Sequence, residues 1–528
     1  MNCARIFDLV SNIETDVLIL GGGPAGLWAA VSAAAAGARV VLVDKNRCGS
    51  SGSTVYGSTA LWDLAPGRDR AEAVVATLAR GGGLGDTAWL HRVADETHRR
   101  LQSWSGTRHR APVPAGEEAA AVLLDGASYL RRLRRGALEA GVRILDHHPA
   151  LHLLVDPAGA VVGAAGAQRH NKFRPWTVRA GAVVVATGGC AFLSGGAGTE
   201  VNTGEGLLMA VEAGAELSGM EFSSAYGLAP VLARVHPNPA VAPGLSVHFA
   251  ALYDEAGSEL AGRYPSALAA LADGRRVFAA LHEVPDTVRH WLSRHGAVDQ
   301  AGRVPVRAVL EGTVLGAGGL ALAGTDCATT LPGLYCAGSA AGREVVAGAA
   351  GVTGGLAGAW AVASGTWAGE GAAAFAVGAD RSADARPVLG AGLGPHAHID
   401  PRSVIGLVQE HTLPLRRSYR RSAGSLGDSI AELDAMWPGA QFELGGIGAE
   451  RVRARQAAAL LAVARWAGYS ALVRAETRGI HRRIDHPDAV AGWRVRQRCG
   501  GLDEIWVRRD TVPAAHGEQL TAGRPATV

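Results

Sequence analysis

Short apolar runs and a helical pattern alternate at the start of the chain. Residues 16–20 and residues 39–43 are runs rich in Val, Leu and Ile. Residues 21–37 lie between them and combine a glycine cluster with an alanine-rich stretch of helical length. This order predicts two buried parallel strands joined by a helix, which is a βαβ unit.

The pattern changes farther along the chain. Charges spaced among Leu, Ala and Val predict helices between 68 and 140, and helical periodicity returns from 403 to 495. The segment from 228 to 312 is rich in proline and histidine, which indicates an inserted domain. Apolar runs predict further strands at 142–146, 151–156, 160–166, 179–189 and 333–339.

Residues 345–369 contain no charged side chain and are long enough, as a helix, to cross a bilayer. They consist mostly of Gly, Ala, Ser and Thr, with few of the large apolar residues that favour insertion. We therefore predict a buried helix of a globular protein and no membrane span.

The composition of the 528 residues excludes several classes of function. Hydrophobic residues make up 48% and charged residues 19%, which is too apolar for a disordered chain. The 51 basic and 48 acidic residues leave a net charge of +3, too small for the basic surface that nucleic acid requires. The six cysteines form no C-x-x-C pair, so we expect no cysteine-bound metal or iron–sulfur cluster, and any redox centre is expected to be organic. The first dozen residues lack the apolar core of a secretory signal, which predicts a cytoplasmic protein.

Three glycines mark a nucleotide site at the start of the first predicted helix. Gly21, Gly23 and Gly26 fit G-x-G-x-x-G directly after a strand, and Asp44 follows the next strand. In this arrangement the first glycine permits a tight turn, the second lets the backbone approach a pyrophosphate, and the third lets helix and strand pack closely. Asp44 would accept hydrogen bonds from an adenosine ribose and disfavours a 2′-phosphate. The motif predicts a dinucleotide but does not separate NAD from FAD.

Further segments resemble a known flavoprotein family. They are GSSGSTVYGSTA at 49–60, VVVATGG at 183–189, NTGEGLLMAVEAGAELSGMEF at 202–222, LPGLYCAGSAAG at 331–342 and RAETRGIHRRIDHP at 474–487. Together they resemble L-aspartate oxidase and the flavoprotein subunits of succinate dehydrogenase, fumarate reductase and adenylylsulfate reductase. The resemblance runs from residue 14 to about residue 495 and is weakest over 228–312.

The resemblance implies an α/β fold with a Rossmann-like FAD-binding domain, an inserted α+β capping domain and a helical C-terminal domain. The implied boundaries are 14–227 and 313–375 for the two parts of the FAD-binding domain, 228–312 for the capping domain, 403–495 for the helical domain and 511–528 for a disordered tail. The implied FAD-binding residues are Gly21, Gly23, Pro24, Ala25, Gly26, Asp44, Lys45, Ser51, Gly52, Ser53, Thr54, Gly57, Ala150, Ala186, Thr187, Gly188, Asn202, Glu205, Gly338, Ser339, Thr353 and Leu356.

Two of these implications concern the flavin itself. The family's T-G-D-G corresponds to residues 203–206, which makes Glu205 the implied acid near the flavin. The uncharged helix, beginning near Val352, would point its positive N-terminus at the pyrimidine part of the flavin ring and stabilise the reduced form.

Several positions depart from the family pattern. Ser53 stands where succinate dehydrogenases carry the histidine that attaches FAD covalently, so non-covalent FAD is implied. Val314 stands at the position of a substrate-binding histidine, and Ala350 or Gly351 at that of the substrate-clamping arginine. Without these groups a dicarboxylate would lose charge-assisted hydrogen bonds of about 1.5–3 kcal/mol each. Succinate, fumarate and aspartate are therefore not the expected substrates.

Polar residues near the implied active site remain as candidates for substrate chemistry. Arg343 and Glu344 follow the last predicted strand, where the family's substrate-facing loop lies, and form the leading pair, although adjacent opposite charges are also common in solvated loops. Arg307 and Glu311 have the i, i+4 spacing of a helix, which slightly favours an ordinary surface ion pair. Tyr226 occupies the histidine position of the family's F-H-P. The charged residues of 474–487 are interpreted as a network that attaches the C-terminal domain to the FAD-binding domain.

The sequence leaves several functions open. The first is an FAD-dependent dehydrogenase or oxidase, in which hydride leaves a C–H next to an amine, hydroxyl or carboxylate of a small-molecule substrate. The second is an L-aspartate-oxidase-like amine oxidase with rebuilt carboxylate recognition, and the third is an electron-transfer subunit that needs an iron–sulfur partner. The fourth is a flavin-retaining scaffold without activity. The electrons would pass to oxygen or to an acceptor protein, and the sequence does not say which.

Overall fold

The computed structural model describes most of the chain. The described residues are 11–56, 58–103, 109–110, 121–231, 251–260, 264–280, 298–299, 302–352, 354–379 and 384–510. The tail at 511–528 and the predicted site residues Gly57 and Thr353 lie outside these ranges.

An eight-stranded sheet forms the centre of the protein. Its strands are β1 (Ser11–Leu20), β2 (Val40–Val43), β6 (Arg143–Leu145), β7 (Ala150–Val155), β8 (Val161–Gln168), β9 (Arg174–Val185), β16 (Leu334–Cys336) and β17 (Arg386–Pro387). The order is β17-β7-β8-β9-β1-β2-β6, and β16 pairs with the end of β9. The pairs of β1 with β2 and β9, of β2 with β6 and of β9 with β16 are parallel, whereas β7, β8 and β17 join through antiparallel pairs. The strands predicted from apolar runs are therefore confirmed.

Two helices that pack against this sheet lie beside the nucleotide motif. Helix α1 (Pro24–Ala35) connects β1 to β2, which confirms the predicted βαβ unit. Helix α9 (Gly354–Gly378) packs along α1. The uncharged helix expected to begin near Val352 is confirmed, since α9 begins at Gly354, and a separate short helix, α8 (Glu344–Ala347), precedes it. The two are separate because Gly348 has a φ of +58°, which ends α8.

A small antiparallel sheet lies between these helices and the rest of the domain. Its strands are β3 (Ser58–Trp62), β4 (His109–Arg110) and β5 (Ala121–Asp125), in the order β3-β5-β4. Helices α2 (Arg68–Arg80), α3 (Thr87–Gln102) and α4 (Gly126–Glu139) accompany it. The prediction of helices between 68 and 140 therefore missed β4 and β5. Helix α5 (Glu205–Glu212) follows β9.

The inserted segment contains a separate antiparallel sheet. Its strands are β11 (Tyr226–Pro230), β12 (Leu252–Tyr253), β13 (Val277–Ala280) and β14 (Arg303–Leu310), in the order β11-β14-β13-β12. Helix α6 (Tyr264–Ala272) packs on it, so the described part has the α+β composition that was expected. The sheet begins at Tyr226, before the expected boundary at 228. Helix α7 (Gly312–Leu315) leads from β14 back to the FAD-binding domain.

The C-terminal part starts as a helical bundle and ends as strands. Its helices are α10 (Pro401–Thr412), α11 (Leu415–Ser418), α12 (Ala423–Phe442) and α13 (Ala449–Val473). The expected helical domain at 403–495 is therefore too long at its end, because after Val473 the chain runs without α-helix into β18 (Gln497–Gly500) and β19 (Trp506–Arg509). These strands join β10 (Leu217–Ser218) and β15 (Gly319–Leu320) in a sheet of order β15-β10-β18-β19, which attaches residues 497–509 to the part of the chain that includes residues 217–218 and 319–320. Within the described ranges, none of the helices combines the length and the apolar character that crossing a bilayer requires.

Candidate functional site

The glycine turn between β1 and α1 has the geometry that its sequence predicts. Gly21 has a φ of +106°, a conformation that L side chains rarely adopt. A Cβ on Gly26 would overlap the carbonyl oxygen of Gly21, so only glycine lets α1 pack this closely. A Cβ on Gly23, in contrast, would meet no atom within 4 Å. Gly23 caps α1 without any side-chain hydrogen bond, and Pro24 contributes no N–H, so the N–H groups of Ala25 and Gly26 are the donors that α1 offers to a ligand.

Asp44 holds the other side of this turn. The backbone N–H of Gly22 donates to its Oδ2 at 2.6 Å, and that of Asn46 donates to its Oδ1 at 2.7 Å. Burial raises the pKa of Asp44, and these two N–H groups oppose the rise because they favour the ionised form. Each carboxylate oxygen still has a lone pair free, so Asp44 can accept hydrogen bonds from a ribose.

The turn and Asp44 belong to the wall of one cavity of about 340 Å³. All the predicted FAD-binding residues that the structure describes line this cavity, except Gly26 and Leu356. Gly26 packs beneath the turn, as its role requires. Leu356 is buried on another face of α9, and Ala357, Gly358 and Ala361 line the cavity in its place.

The cavity wall carries polar atoms that need a ligand. The hydroxyl oxygen of Thr187 and the Oδ1 atom of Asn202 are buried and have no hydrogen-bond partner within the described part of the protein. Both residues line the cavity. Unpaired buried polar atoms are costly, so their presence beside the open space at Gly23 fits a polar ligand that runs past the start of α1. These residues fit FAD.

Lys45 and Glu205 form an ion pair in the cavity wall. The Nζ atom of Lys45 lies 2.8 Å from Oε1 of Glu205 and donates to the Thr203 hydroxyl at 2.7 Å, and that hydroxyl donates to Oε2 of Glu205 at 2.5 Å. Burial would raise the pKa of Glu205, but Lys45 and Thr203 outweigh burial and hold it below its usual value. Lys45 directly follows Asp44, so Glu205 lies in the part of the cavity wall next to Asp44. Its expected place near the flavin stays a prediction.

Sequence reasoning missed other lining residues for identifiable reasons. Gly22, Thr59 and Ala60 lie inside segments that were already singled out. Tyr129 and His148 come from α4 and the start of β7, and no local pattern marks them. The missed residues are Leu20, Gly22, Val43, Thr59, Ala60, Tyr129, His148, Val201, Met209, Val314, Leu315, Ala337, Ala357, Gly358 and Ala361.

The structure contradicts the prediction that Arg343 and Glu344 face the substrate or lie in a solvated loop. Arg343 is 1% exposed and Glu344 is 4% exposed, and neither lines the cavity. The guanidinium of Arg343 donates hydrogen bonds to backbone carbonyl oxygens of the segment 313–316. The carboxylate of Glu344 lies near Gly219 and Gly342, where a Cβ on either glycine would be 3.0 Å from its Oε2. Burial raises the pKa of Glu344.

The predicted helical pair Arg307 and Glu311 is also wrong, because Arg307 belongs to strand β14. Arg307 is exposed, whereas Glu311 follows the strand and its N–H donates to the carbonyl oxygen of Ala225 at 2.8 Å. A Cβ on Gly227 would overlap Oε1 of Glu311, so the carboxylate lies flat against the backbone of β11. Burial raises the pKa of Glu311 to about 7.

Tyr226 lies on the opposite face of the capping sheet from Gly227. Its ring contacts that of Tyr419 edge-on, with centroids 6.1 Å apart, and burial raises the pKa of its hydroxyl to about 12. Tyr226 does not line the cavity within the described residues. It therefore packs between the capping sheet and the C-terminal helices.

The charged segment 474–487 joins the C-terminal part to the FAD-binding domain, as predicted. Arg474 pairs with Glu221 at 2.8 Å and with Glu476 at 2.9 Å. Arg478 pairs with Glu476 and donates to the carbonyl oxygen of Gly82. The ring of His481 is fully buried, and burial lowers its pKa well below the usual value, which leaves a neutral imidazole among arginines. These contacts support a structural role.

Comparison with known proteins agrees with this site. A family model described as an FAD binding domain matches residues 16–306. L-aspartate oxidase of Streptomyces coelicolor is 30% identical over 539 aligned positions, which cover 90% of this chain and 89% of that protein. The solved quinol fumarate reductase of E. coli superposes with a TM-score of 0.79 and 20% identity, over 96% of this chain and 99% of that one. Adenylylsulfate reductase of Archaeoglobus fulgidus superposes with a TM-score of 0.71 and 17% identity, over 96% and 97%. At these identities the two structures show a shared fold alone.

Proposed function

The chain belongs to the flavoprotein family defined by this FAD binding domain, and it is an FAD-dependent oxidoreductase. From that premise we propose that it is a dehydrogenase or oxidase that holds FAD without a covalent bond. We propose further that its substrate is a small organic molecule without a pair of carboxylates.

The charge of the cavity wall carries the substrate part of this proposal. Among the lining residues of the described chain, Lys45 is the one lysine or arginine, and Glu205 neutralises it. Val314, which stands at the family's histidine position, contributes an apolar side chain to the wall. With FAD bound, a dicarboxylate beside the flavin would meet the apolar side chain of Val314 and no unpaired cation among these lining residues, so it would lose its hydration without compensation, which costs several kcal/mol. A substrate without paired charges avoids that cost.

Different residues of the cavity wall would bind different parts of FAD. The N–H groups at the start of α1 would hold the pyrophosphate, and Asp44 would hold the ribose. The flavin ring then belongs in the arm lined by Thr59, Val314 and Ser339. When bound, FAD supplies a hydride acceptor at N5 of this ring. Ser53 lines the cavity but cannot form the histidyl link, so the cofactor would be held by these contacts alone.

We assign the accompanying proton transfer to Glu311. This residue immediately precedes α7, whose residues Val314 and Leu315 line the cavity. Its carboxylate does not line the cavity, but it makes no ion pair and no side-chain hydrogen bond among the described residues. A rotation of this side chain away from β11 would therefore be needed before it takes a proton from a substrate O–H or N–H while hydride leaves the carbon. A pKa of about 7, caused by burial, suits a base that works near neutral pH.

Two measurements on the purified protein test the proposal. We expect a yellow protein from which acid precipitation releases intact FAD into the supernatant, because the chain lacks the attaching histidine. We also expect that succinate, fumarate and L-aspartate leave the flavin absorbance band unchanged, whereas a panel of small alcohols and amines contains at least one compound that bleaches it. Flavin that stays with the precipitate contradicts non-covalent binding, and fast reduction by a dicarboxylate contradicts the reading of the cavity wall.

The second candidate is an amine oxidase acting on L-aspartate. The 30% identity to an L-aspartate oxidase over 90% of this chain supports it. It requires cations that the described cavity wall lacks. Anaerobic reduction of the flavin by L-aspartate, followed by formation of one hydrogen peroxide per flavin on admission of oxygen, would establish this candidate. Failure of oxygen to reoxidise the flavin reduced by any substrate would favour an acceptor protein, as in the Sdh1 complex of Mycobacterium smegmatis, which shares the fold.

A further inference from the structure

The guanidinium group of Arg343 lies directly behind the wall of the cavity. It donates to the carbonyl oxygen of Val314 at 3.0 Å and to the hydroxyl of Ser339 at 3.2 Å. It also donates to the carbonyl oxygens of Thr313 and Gly316. Val314 and Ser339 line the cavity, so one side chain fastens two separate segments of its wall. The positive charge therefore lies in hydrogen-bond contact with two residues of the cavity wall.

This buried charge has only neutral acceptors. Within the described residues Arg343 forms no ion pair, and the carboxylate of the neighbouring Glu344 lies beside Gly219 and Gly342 instead. Burial lowers the pKa of Arg343 to about 9, which still leaves it protonated near neutral pH. A neutral side chain with N–H or O–H groups could also donate hydrogen bonds to these backbone carbonyl oxygens. The Glu344 carboxylate opposes the effect of burial on Arg343 without a hydrogen bond to it. A buried cation that lacks a hydrogen-bonded counter-ion is expensive, so its retention indicates an electrostatic role.

The position of the charge along the cavity suggests what that role is. If Gly23 and Asp44 hold the pyrophosphate and the ribose, then Val314 and Ser339, which also line the cavity, belong to the part that remains for the flavin ring. That part holds the flavin ring if the proposed function is right, and the present inference rests on it. A flavin ring that takes up two electrons and one proton carries a net negative charge, which a fixed positive charge stabilises in a site shielded from water.

We propose that Arg343 is a positioning residue that raises the reduction potential of bound FAD through its buried charge, acting from behind the cavity wall. It does not touch substrate. Its hydrogen bonds hold Val314 and Ser339 against the ring, and its charge favours the reduced ring over the oxidised one.

The variants Arg343→Met and Arg343→Lys separate the charge from the packing. Methionine fills similar space without charge, and lysine keeps the charge without the planar group of donors. Arg131→Met is the matched control, because Arg131 is exposed on α4 and its loss changes the net charge equally. The measurement is the equilibrium between bound FAD and a two-electron reference dye, followed by absorbance under nitrogen.

We expect Arg343→Met to lower the equilibrium constant for FAD reduction at least ~10-fold, which is about 30 mV for a two-electron couple. Arg343→Lys and Arg131→Met should stay within ~3-fold of the parent, since the charge near the ring is unchanged in both. A parent-like potential in Arg343→Met would overturn the proposal, as would an equal shift in Arg131→Met.

A second neutral variant covers the case in which Arg343→Met does not fold or bind FAD. Arg343→Gln retains one amide donor for the wall carbonyls, and its potential is expected to fall as in Arg343→Met. If both neutral variants lose FAD or fail to fold, Arg343 serves the structure of the wall and the potential-setting role is refuted. A parent protein without FAD would instead refute the proposed function, so the two failures are distinguishable.

Discussion

Replacing Gly23 by alanine tests the nucleotide site with the smallest change available. Gly23 has φ −74° and ψ −175°, which alanine adopts without strain. Its added Cβ would meet no protein atom within 4 Å. Alanine is less flexible than glycine in the unfolded chain, which favours folding by about 0.4–1 kcal/mol, but it is a poorer N-cap than glycine by a similar amount. The stability of the apoprotein should therefore stay within about 1 kcal/mol of the parent.

The same methyl group should obstruct FAD. The open space at Gly23 lies in front of the free N–H groups of α1, where the pyrophosphate is expected. Displacing a phosphate group from two of these donors removes two charge-assisted hydrogen bonds of about 1.5–3 kcal/mol each. A total of at least about 3 kcal/mol corresponds to a rise in Kd of ~10²-fold or more.

The assay compares two equilibria on one preparation. Apoprotein is titrated with FAD while the quenching of flavin fluorescence is followed, and the same apoprotein is melted with circular dichroism as the signal. Gly136→Ala is the control, because Gly136 lies within α4 and its Cβ would also meet no atom within 4 Å. It should raise stability by about 1 kcal/mol and leave the Kd for FAD unchanged.

Parent-like FAD binding by Gly23→Ala would refute the reasoning, because the cofactor would then not pass in front of α1. If the Gly23→Ala apoprotein melts well below the parent apoprotein, the claim that the added Cβ lies in open space is refuted.

Three further substitutions extend the test to other parts of the site. Gly26→Ala should destabilise the apoprotein itself by about 3 kcal/mol, measured by urea unfolding, because its Cβ overlaps the Gly21 carbonyl. Asp44→Ala should weaken FAD binding by about 1–3 kcal/mol in the fluorescence titration, through the lost ribose bonds and the freed N–H of Gly22. Glu311→Gln should change how stability depends on pH. Burial raises the pKa of Glu311 from 4.5 to about 7, so the parent should lose about 3 kcal/mol as pH rises from 4.5 to 7, and unfolding curves of the variant should lack that loss.

The nucleotide half of the site could be predicted because short-range rules determine it. A strand, a glycine turn and a helix that follow each other within one segment leave one geometry for the backbone, and the φ of Gly21 and the packing of Gly26 follow from it. Asp44 and Lys45 end the neighbouring strand and so reach the same edge of the sheet. Their interaction with Glu205 was not predictable, since it depends on where α5 lies relative to β2.

The residues expected near the substrate could not be predicted correctly from the sequence, for physical reasons. Helix α9 is made of small apolar residues all round, so no polar face shows which residues meet the cavity, and Leu356 was chosen over Ala357. Arg307 and Glu311 are four apart, but the alternation of Val304 and Val306 with polar or less buried neighbours marks a strand. The i, i+4 rule was therefore applied to the wrong element.

Arg343 shows how the position of a charge changes its chemistry. Its acceptors are backbone carbonyls, which no side-chain pattern announces, so a pair of adjacent opposite charges was mistaken for an active or solvated loop. A cation in front of a flavin ring binds a carboxylate, whereas the same cation behind the wall reaches only the ring. With Lys45 neutralised and Arg343 enclosed, the described cavity wall offers no unpaired cation to a dicarboxylate, while under our proposal the enclosed charge would make the flavin ring a stronger oxidant. The burial of Arg343 would then affect both which substrate the cavity accepts and how strongly oxidising the flavin ring is.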